Sequence, residues 1–552
     1  MTIDLSTITF TSGPDIVPVS GQDAIVNTGI ANTLDGNDTL TGEGSEDYFF
    51  SSPWKQYGIY NTGTLNTADG HDEITGTGFF EGVGIYNTDT FNTAEGDDII
   101  TGTGNRGIYN TGTFNTAEGN DTITANSSYV SHGIVNTGTF NTAEGDDIIT
   151  AKGSFGGGDG IVNTGTFNTA EGNDIIIATG KFGGIDNSGK FNTADGNDEI
   201  TGITSHHQGI KIAEGSLFDT GNGSDRISGK SNIGTGIDNG SITFNTGDGN
   251  DTIEGTGYFT GIYNKGHINT GNGKDTIIAK AKYYGSGLSN SSIIDTGNGE
   301  DIITATRGIK NYGTIDTGDD DDIITGTGLV YEGDGINDSN GISNDGTINT
   351  GNGQDSIISV GNFTNKGNVF LGEGNDSITA SIIAEIGFPD RALENFNAID
   401  TGDGNDTITS TGVIYNEGII TTGNGDDSIV VDGTGMSYGI YNNGGAINMG
   451  DGNDSIIANE GFESAANSSG AWFLGEGEDY IKGYGSGDFY GGNSNDTLEL
   501  TPGTYSVGRW GATVTFSKGS SLMLASEFEQ LIAGSTTYNF ASLTGGETIV
   551  VV

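Results

Sequence analysis

Apolar residues recur along this chain in a three-beat pattern, each separated from the next by polar residues and glycine. Residues 107 to 125, GIYNTGTFNTAEGNDTITA, show one cycle: three strand-like pieces, GIYN, TFNT and DTIT, joined by glycine-containing bends. Each piece offers one inward apolar residue, and the same three positions return coil after coil. The first holds Ile59, Ile85, Ile108, Ile134, Ile161, Ile185, Ile210, Ile237 and Ile262. The second holds Leu65, Phe91, Phe114, Phe140, Phe167, Phe191, Phe218 and Phe244, then Ile268. The third holds Ile74, Ile100, Ile123, Ile149, Ile176, Ile200, Ile227, Ile253 and Ile277. Three inward ladders predict an all-β fold, a three-sided parallel β-solenoid (β-helix or β-roll-like) in which like residues stack about 4.8 Å apart. Its core exists only between coils, so no single repeat is stable alone.

Two polar ladders accompany the apolar ones. Asn61, Asn87, Asn110, Asn136, Asn163 and Asn187 follow the first, and Asn66, Asn92, Asn115, Asn141, Asn168 and Asn192 follow the second. Asparagine tolerates bends and hydrogen-bonds to its counterpart one coil away, so both ladders read as structural.

Every cycle closes on an acidic turn, (G/A)-(D/E/N)-G-(N/D)-D-x-(I/L). Its last aspartate falls at Asp38, Asp72, Asp98, Asp121, Asp147, Asp174, Asp198, Asp225, Asp251, Asp275, Asp301, Asp322, Asp355, Asp376, Asp406, Asp427, Asp454 and Asp479. Neighbours in this series are 21 to 34 residues apart, mostly 23 to 27, which gives about 18 coils over residues 21 to 500. Residues 1 to 20 alternate as Ile3, Leu5, Ile8 and Phe10 and predict a strand capping the first coil. Residues 501 to 552 leave the repeat: GRWGATVTFSKGSSLML reads as a hairpin, SEFEQLIAG as a short capped helix, and GGETIVVV as an aliphatic tail. Length variation concentrates between the third strand and the next GI, with the largest interruptions near residues 204–216, 331–340 and 384–396.

Charge gives the turns a chemistry. A net charge of −55 with 100 glycines in 552 residues would ordinarily mean disorder, yet disordered chains do not hold apolar residues in fixed register. Carboxylates stacked at the coil spacing repel by roughly 0.9 kcal/mol per neighbouring pair even in bulk water. The turns therefore call for a bound cation. Calcium takes six to eight oxygens from carboxylates and carbonyls; one tight turn cannot supply them, but two stacked turns can, with glycine at positions such as Gly119 and Gly249 aiming backbone carbonyls inward. A row of n turns then makes n − 1 sites, about 17 calcium ions, and their charge offsets more than half of the protein's own. Magnesium, octahedral and reluctant to dehydrate, fits poorly.

Composition also excludes partners. Only 19 lysines and arginines are present against 74 acids, so neither a nucleic-acid backbone nor anionic lipid finds an electrostatic footprint. No apolar run reaches the roughly 20 residues that span a bilayer, and without cysteine there are no disulfides or thiolate metal sites. The segment MTIDLSTITFTSG lacks the basic and apolar regions of a secretory signal peptide, so an export signal is expected elsewhere.

GDGNDTIEG (residues 247 to 255) and GNGKDTIIA (271 to 279) resemble the G-G-x-G-x-D-x-U-x nonapeptide of the repeats-in-toxin (RTX), or haemolysin-type, calcium-binding proteins. Residues 475 to 500, GEGEDYIKGYGSGDFYGGNSNDTLEL, look like three such nonapeptides nearly in tandem, and the resemblance would add Asp488 and Asp496 as ligands. It also implies export by a type I secretion system through an uncleaved C-terminal signal, a place that residues 501 to 552 would fill alongside capping. This sequence departs from the family in having one motif per coil, with threonine usually standing for the first glycine, as in NTAEGND. A single row of ions along one edge of a wider coil is expected instead of two rows.

No catalytic constellation interrupts the repeat. The five histidines, His71, His132, His206, His207 and His267, are scattered, and nearly every aspartate belongs to the turn ladder. The alternatives are an adhesive or ice-binding solenoid, the latter built on the NTGTFNT rows of residues 61 to 193, and a polysaccharide-active lyase or hydrolase. The favoured reading is a secreted, calcium-binding structural or cell-surface-associated protein that folds on meeting calcium outside the cell. Further copies of itself or cell-surface glycans are its expected partners, with no nucleic acid and no membrane insertion.

Overall fold

The structure is a computed structural model describing residues 2–17, 24–44, 56–154, 156–328, 340–383, 391–433, 435–465 and 470–552. It divides into two compact units, Met1–Leu288 and Ser289–Val552.

In the first unit every coil contributes one short strand to each of three parallel sheets. One coil shows the origin of all three: Arg106–Asn110, Thr113–Asn115 and Thr122–Ser127. Register is residue on like residue, with Ile108 opposite Ile134, Phe114 opposite Phe140 and Ile123 opposite Ile149. A one-residue slip would turn every apolar side chain outward, so the burial pattern itself locks the stacking. All three expected ladders face inward and are fully buried. The phenylalanine ladder is a continuous ring stack from Phe91 to Phe218, with centroids 4.6–5.0 Å apart, before turning edge-on at Phe244.

At the corner between the first and second strands the buried asparagine ladder satisfies the backbone that bends there. Asn110 Nδ2 donates to Asn136 Oδ1 at 2.8 Å and to the Thr139 carbonyl at 2.7 Å, and Asn136 repeats the contacts with Asn163 and Thr166. The second ladder runs in the opposite sense on the outer face, with Asn141 donating to Asn115 at 2.7 Å. Asn136→Ala removes one acceptor of Asn110, which keeps the Thr139 carbonyl, and the donor to the buried Asn163 Oδ1. We expect a loss of about 1–3 kcal/mol, read as a lower denaturation midpoint.

The N-terminal segment forms two short strands rather than one. Ile3–Asp4 pairs with Ile25–Val26, a 3-10 turn follows at Leu5–Thr7, and Ile16–Val17 pairs with Thr39–Leu40. The Asp4 carboxylate accepts the Ser6 amide and so ends the first strand early.

The second unit repeats the three-sheet plan, with ladders such as Ile315, Ile348, Val369, Ile399 and Ile420 fully or almost fully buried. Its last coils pass into a different topology. Gly503–Trp510, Thr513–Lys518 and Ser521–Ser526 form an antiparallel meander whose third strand pairs in parallel with Gly487–Asn493. The expected helix in SEFEQLIAG is instead the strand Gln530–Ala533, parallel to Thr497–Leu500 and antiparallel to Thr536–Asn539. Leu531 and Ala533 alternate inward onto the open end of the core, a period of two that a helix cannot satisfy. Of the long interruptions anticipated from sequence, residues 331–339 and 384–390 lie outside the described residues. No described helix is long and apolar enough to cross a membrane.

Candidate metal centre: a row of buried turn carboxylates

The acidic turns lie between the second and third strands of each coil, and their aspartates point inward. Each closing aspartate is at most 2% exposed. In the first unit, Oδ1 of every one accepts the backbone amide of the aspartate one coil earlier, in an unbroken series: Asp15 to Asp38, then Asp72, Asp98, Asp121, Asp147, Asp174, Asp198, Asp225, Asp251 and Asp275, at 2.7–2.9 Å. In the second unit the series runs from Asp301 through Asp322, Asp355, Asp376, Asp406, Asp427, Asp454 and Asp479 to Asp496, again at 2.7–2.9 Å. There Glu529 takes the next place, its Oε2 accepting the Asp496 amide at 2.9 Å.

Asp496, suggested by the tandem nonapeptides, thus joins the row. Asp488 does not: it stands within the strand Gly487–Asn493, opposite Ala471 and Leu524.

The second carboxylate oxygen is where the chemistry lies. Oδ2 of Asp38, Asp72, Asp98, Asp121, Asp147, Asp174, Asp198, Asp225 and Asp251, and of Asp322, Asp355, Asp376, Asp406, Asp427, Asp454, Asp479 and Asp496, is buried with no hydrogen-bond partner among the described residues. Burial dominates the proton affinity that results. It pushes Asp98, Asp147, Asp198, Asp251 and Asp322 up to about 8. Asp121, Asp174, Asp376, Asp454 and Asp496 are pushed up to about 7. Asp72, Asp225, Asp275, Asp355, Asp406, Asp427 and Asp479 reach about 6. At most of these positions the hydroxyl of the threonine that opens the turn, then the amide of the preceding aspartate, oppose it, while neighbouring carboxylates add to it. The lysines and arginines that form ion pairs go elsewhere, as Lys211 to Asp186, Lys265 to Asp238, and Arg226 and Lys280 to Glu254.

Backbone geometry completes the turn. In most coils the central glycine has φ between +135° and +159°, and in the coils from Ala68 to Ala194 the residue two before it is a left-handed alanine at φ 57–61°. Successive central glycines pack carbonyl on α-carbon. A Cβ at Gly145 would lie 2.0 Å from the Gly119 carbonyl oxygen, and one at Gly172 would lie 1.9 Å from that of Gly145. The carbonyls of Ala143 and Gly145 receive no hydrogen bond from a described residue.

The threonine before the turn also has a visible reason. Thr33, Thr67, Thr93 and Thr116 are buried, and each hydroxyl donates to the carbonyl of the threonine one coil on, at 2.8–3.5 Å. This ladder went unrecognised in the sequence, although the threonine that stands before most turns was its signal. Outside the row, the residue before the closing aspartate makes a second, exposed clamp: Asn120 Oδ1 accepts the Asp146 amide at 2.7 Å. His71 occupies the same position and accepts the Asp97 amide through Nδ1 at 2.8 Å.

No group of three or more His, Asp or Glu side chains is gathered for a metal among the described residues. A cation at the turns would need backbone carbonyls as well as carboxylate oxygens. The donor set fits a hard divalent cation such as calcium: most turns present a buried carboxylate oxygen without a hydrogen-bond partner, and carbonyls such as those of Ala143 and Gly145 receive no hydrogen bond from a described residue.

No family model and no curated protein matches this chain. A solved structure does. It is the X-ray crystal structure of a hyperactive, Ca2+-dependent, beta-helical antifreeze protein from an Antarctic bacterium, 16% identical, with the match covering 79% of this chain and 88% of that one at a TM-score of 0.30. A likeness at that identity and TM-score carries nothing about which ligand this chain binds.

Proposed function

We infer that the protein is a secreted or cell-surface-associated structural solenoid that folds around a row of calcium ions. The observation that carries this reading is the repeated buried Oδ2, an uncompensated carboxylate oxygen in coil after coil. Leaving one such group unpaired is costly; leaving a row of them is compatible with folding only if protons or cations fill the gaps. Calcium supplies charge neutralisation and accepts oxygen ligands from both side chain and backbone. This chain's residues do the rest: the closing aspartates hold the charge, the central glycines bring adjacent turns into contact, and the threonine and asparagine ladders keep the coils in register.

Because ligands are assembled only in the folded chain, binding energy is folding energy. Such a chain stays unfolded where free calcium is scarce and locks outside the cell where it is about millimolar. That behaviour suits export as an unfolded polypeptide, the route implied by the RTX resemblance. Replacing Asp147 and Asp174 with Asn is expected to lower the number of bound calcium ions, counted by equilibrium dialysis, and to raise the calcium concentration needed for folding. Unchanged stoichiometry would remove these residues from the ligand set.

Ice binding is the second reading. It rests on the in-register Thr and Asn ranks outside the second sheet, from Thr64 and Asn66 to Thr166 and Asn168. It stands second because Lys190 and Leu217 interrupt the threonine rank and the asparagine amides are spent on one another. Thermal hysteresis or ice-crystal shaping would bring it forward.

A further inference from the structure

In the first unit, the corner that joins the third strand of one coil to the first strand of the next has a composition unlike the acidic remainder. Phe80, Tyr129, Val130, Phe182, Ile233 and Phe259 stand there 40–59% exposed. Backbone hydrogen bonds from His207 to Phe182 and from Tyr283 to Tyr258 tie successive corner loops together, so these side chains form a stripe. Lys152, Lys181, Lys230 and Lys282 share the corner with the Lys280–Glu254 ion pair, on a chain with 19 basic residues against 74 acidic ones. Lys181 Nζ lies 5.6 Å from the Phe182 ring centre and Lys282 Nζ 5.1 Å from that of Tyr283.

The stripe is shaped as well as composed. Phe182 and His207 stack at 5.2 Å with their planes 26° apart. Beside them is a cavity of about 170 Å³ whose walls include Lys152, Ser154, Lys181, Thr204, Ser205 and Asn232. The pair itself walls a second cavity of about 430 Å³, which also presents Asp159, Asp186, Gln208 and Lys211.

We propose that this corner is a binding groove for a polysaccharide bearing carboxylate groups, a uronate-containing glycan. A pyranose ring offers an apolar face of C–H groups and a rim of hydroxyls. Exposed aromatic rings cover the first, while hydroxyl, amide and carboxylate side chains exchange hydrogen bonds with the second. The lysines select for charge. At ionic strengths near 0.15 M the field of the distant acidic turns is screened beyond about 8 Å, so cations in contact with the glycan decide whether an anion is held. The stripe continues over many coils, from Phe80 to Tyr284, which suits a chain rather than a single sugar. It lies at a different corner from the carboxylate row and does not depend on the calcium reading.

The experiment is isothermal titration of the full calcium-loaded chain with oligogalacturonates too short to gel with calcium, with dextran oligomers as neutral controls. Binding to the uronate alone is expected. It should weaken about tenfold in Lys152→Ala/Lys181→Ala and in Phe182→Ala, and remain unchanged in Lys482→Ala, a control in the second unit. All four substituted side chains are at least partly solvent-exposed, so the variants should fold, and matching far-UV circular dichroism checks this. Equal affinity for dextran, or uronate binding that survives both variants, would overturn the assignment. So would self-association in sedimentation velocity that both variants abolish, which would give the groove to a second copy of the chain.

Discussion

Chelated at pH 8, the protein is expected to lose its β-structure, and to regain it when acidified towards pH 5 with no metal added. Burial raises the closing aspartates above the ordinary carboxylate value of 3.8, to about 8 at Asp147 and about 6 at Asp225. A group with a raised folded-state pKa binds protons more tightly folded than unfolded. Its contribution is fully present below 3.8 and is lost as pH rises through the folded value, here a window of about 6 to 8. Across that window the metal-free fold weakens with every unit of pH, whereas the calcium-loaded fold, with cations in place of protons, stays level. Far-UV circular dichroism against pH, with chelator and with calcium, reads both curves. A chelated protein most stable at pH 8 would mean that the row carries solvated charge and needs no cation.

The second large effect is expected at a single methyl group. Gly145→Ala puts a Cβ 2.0 Å from the Gly119 carbonyl oxygen at a φ of +147°. The obstacle is backbone, not a flexible side chain, so adjacent turns must part. We expect a loss of about 3 kcal/mol or more together with weaker calcium binding in the middle of the first unit. Ala143→Gly, two residues earlier, is the internal control. Its φ of +58° is a left-handed geometry that alanine adopts at a cost of about 1–2 kcal/mol, so glycine there should be neutral or stabilising. Equal damage from both substitutions would point to general disruption of the turn rather than to the glycine contact.

The inward positions were legible because they obey two independent rules at once. Ile108, Phe114 and Ile123 alternate with polar neighbours inside their strands and recur at the coil period, a coincidence that chance rarely sustains over many cycles. The asparagine ladders were legible for the same reason. The strand Gln530–Ala533 was not: SEFEQLIAG falls outside any repeat, and four residues of which three are apolar fit a helix or a strand equally until the open end of the core chooses. Nor was the exclusion of Asp488 legible, since its nonapeptide looks like its neighbours and only pairing with Ala471 and Leu524 places it within a strand.

The sequence by itself determined the coil, its period, the three buried ladders and the aspartates that close each turn, because all of these are local patterns repeated in order. The tertiary structure alone decided what stacking does to them. It turned the aspartates inward, gave one oxygen to the preceding coil's amide along each series, and at most positions buried the other without a hydrogen-bond partner among the described residues. It assembled the threonine ladder and gathered lysines and aromatic rings, scattered one or two to a coil, into a single corner. Those outcomes depend on contacts between residues some 25 positions apart, and such contacts exist only once the coils lie on one another.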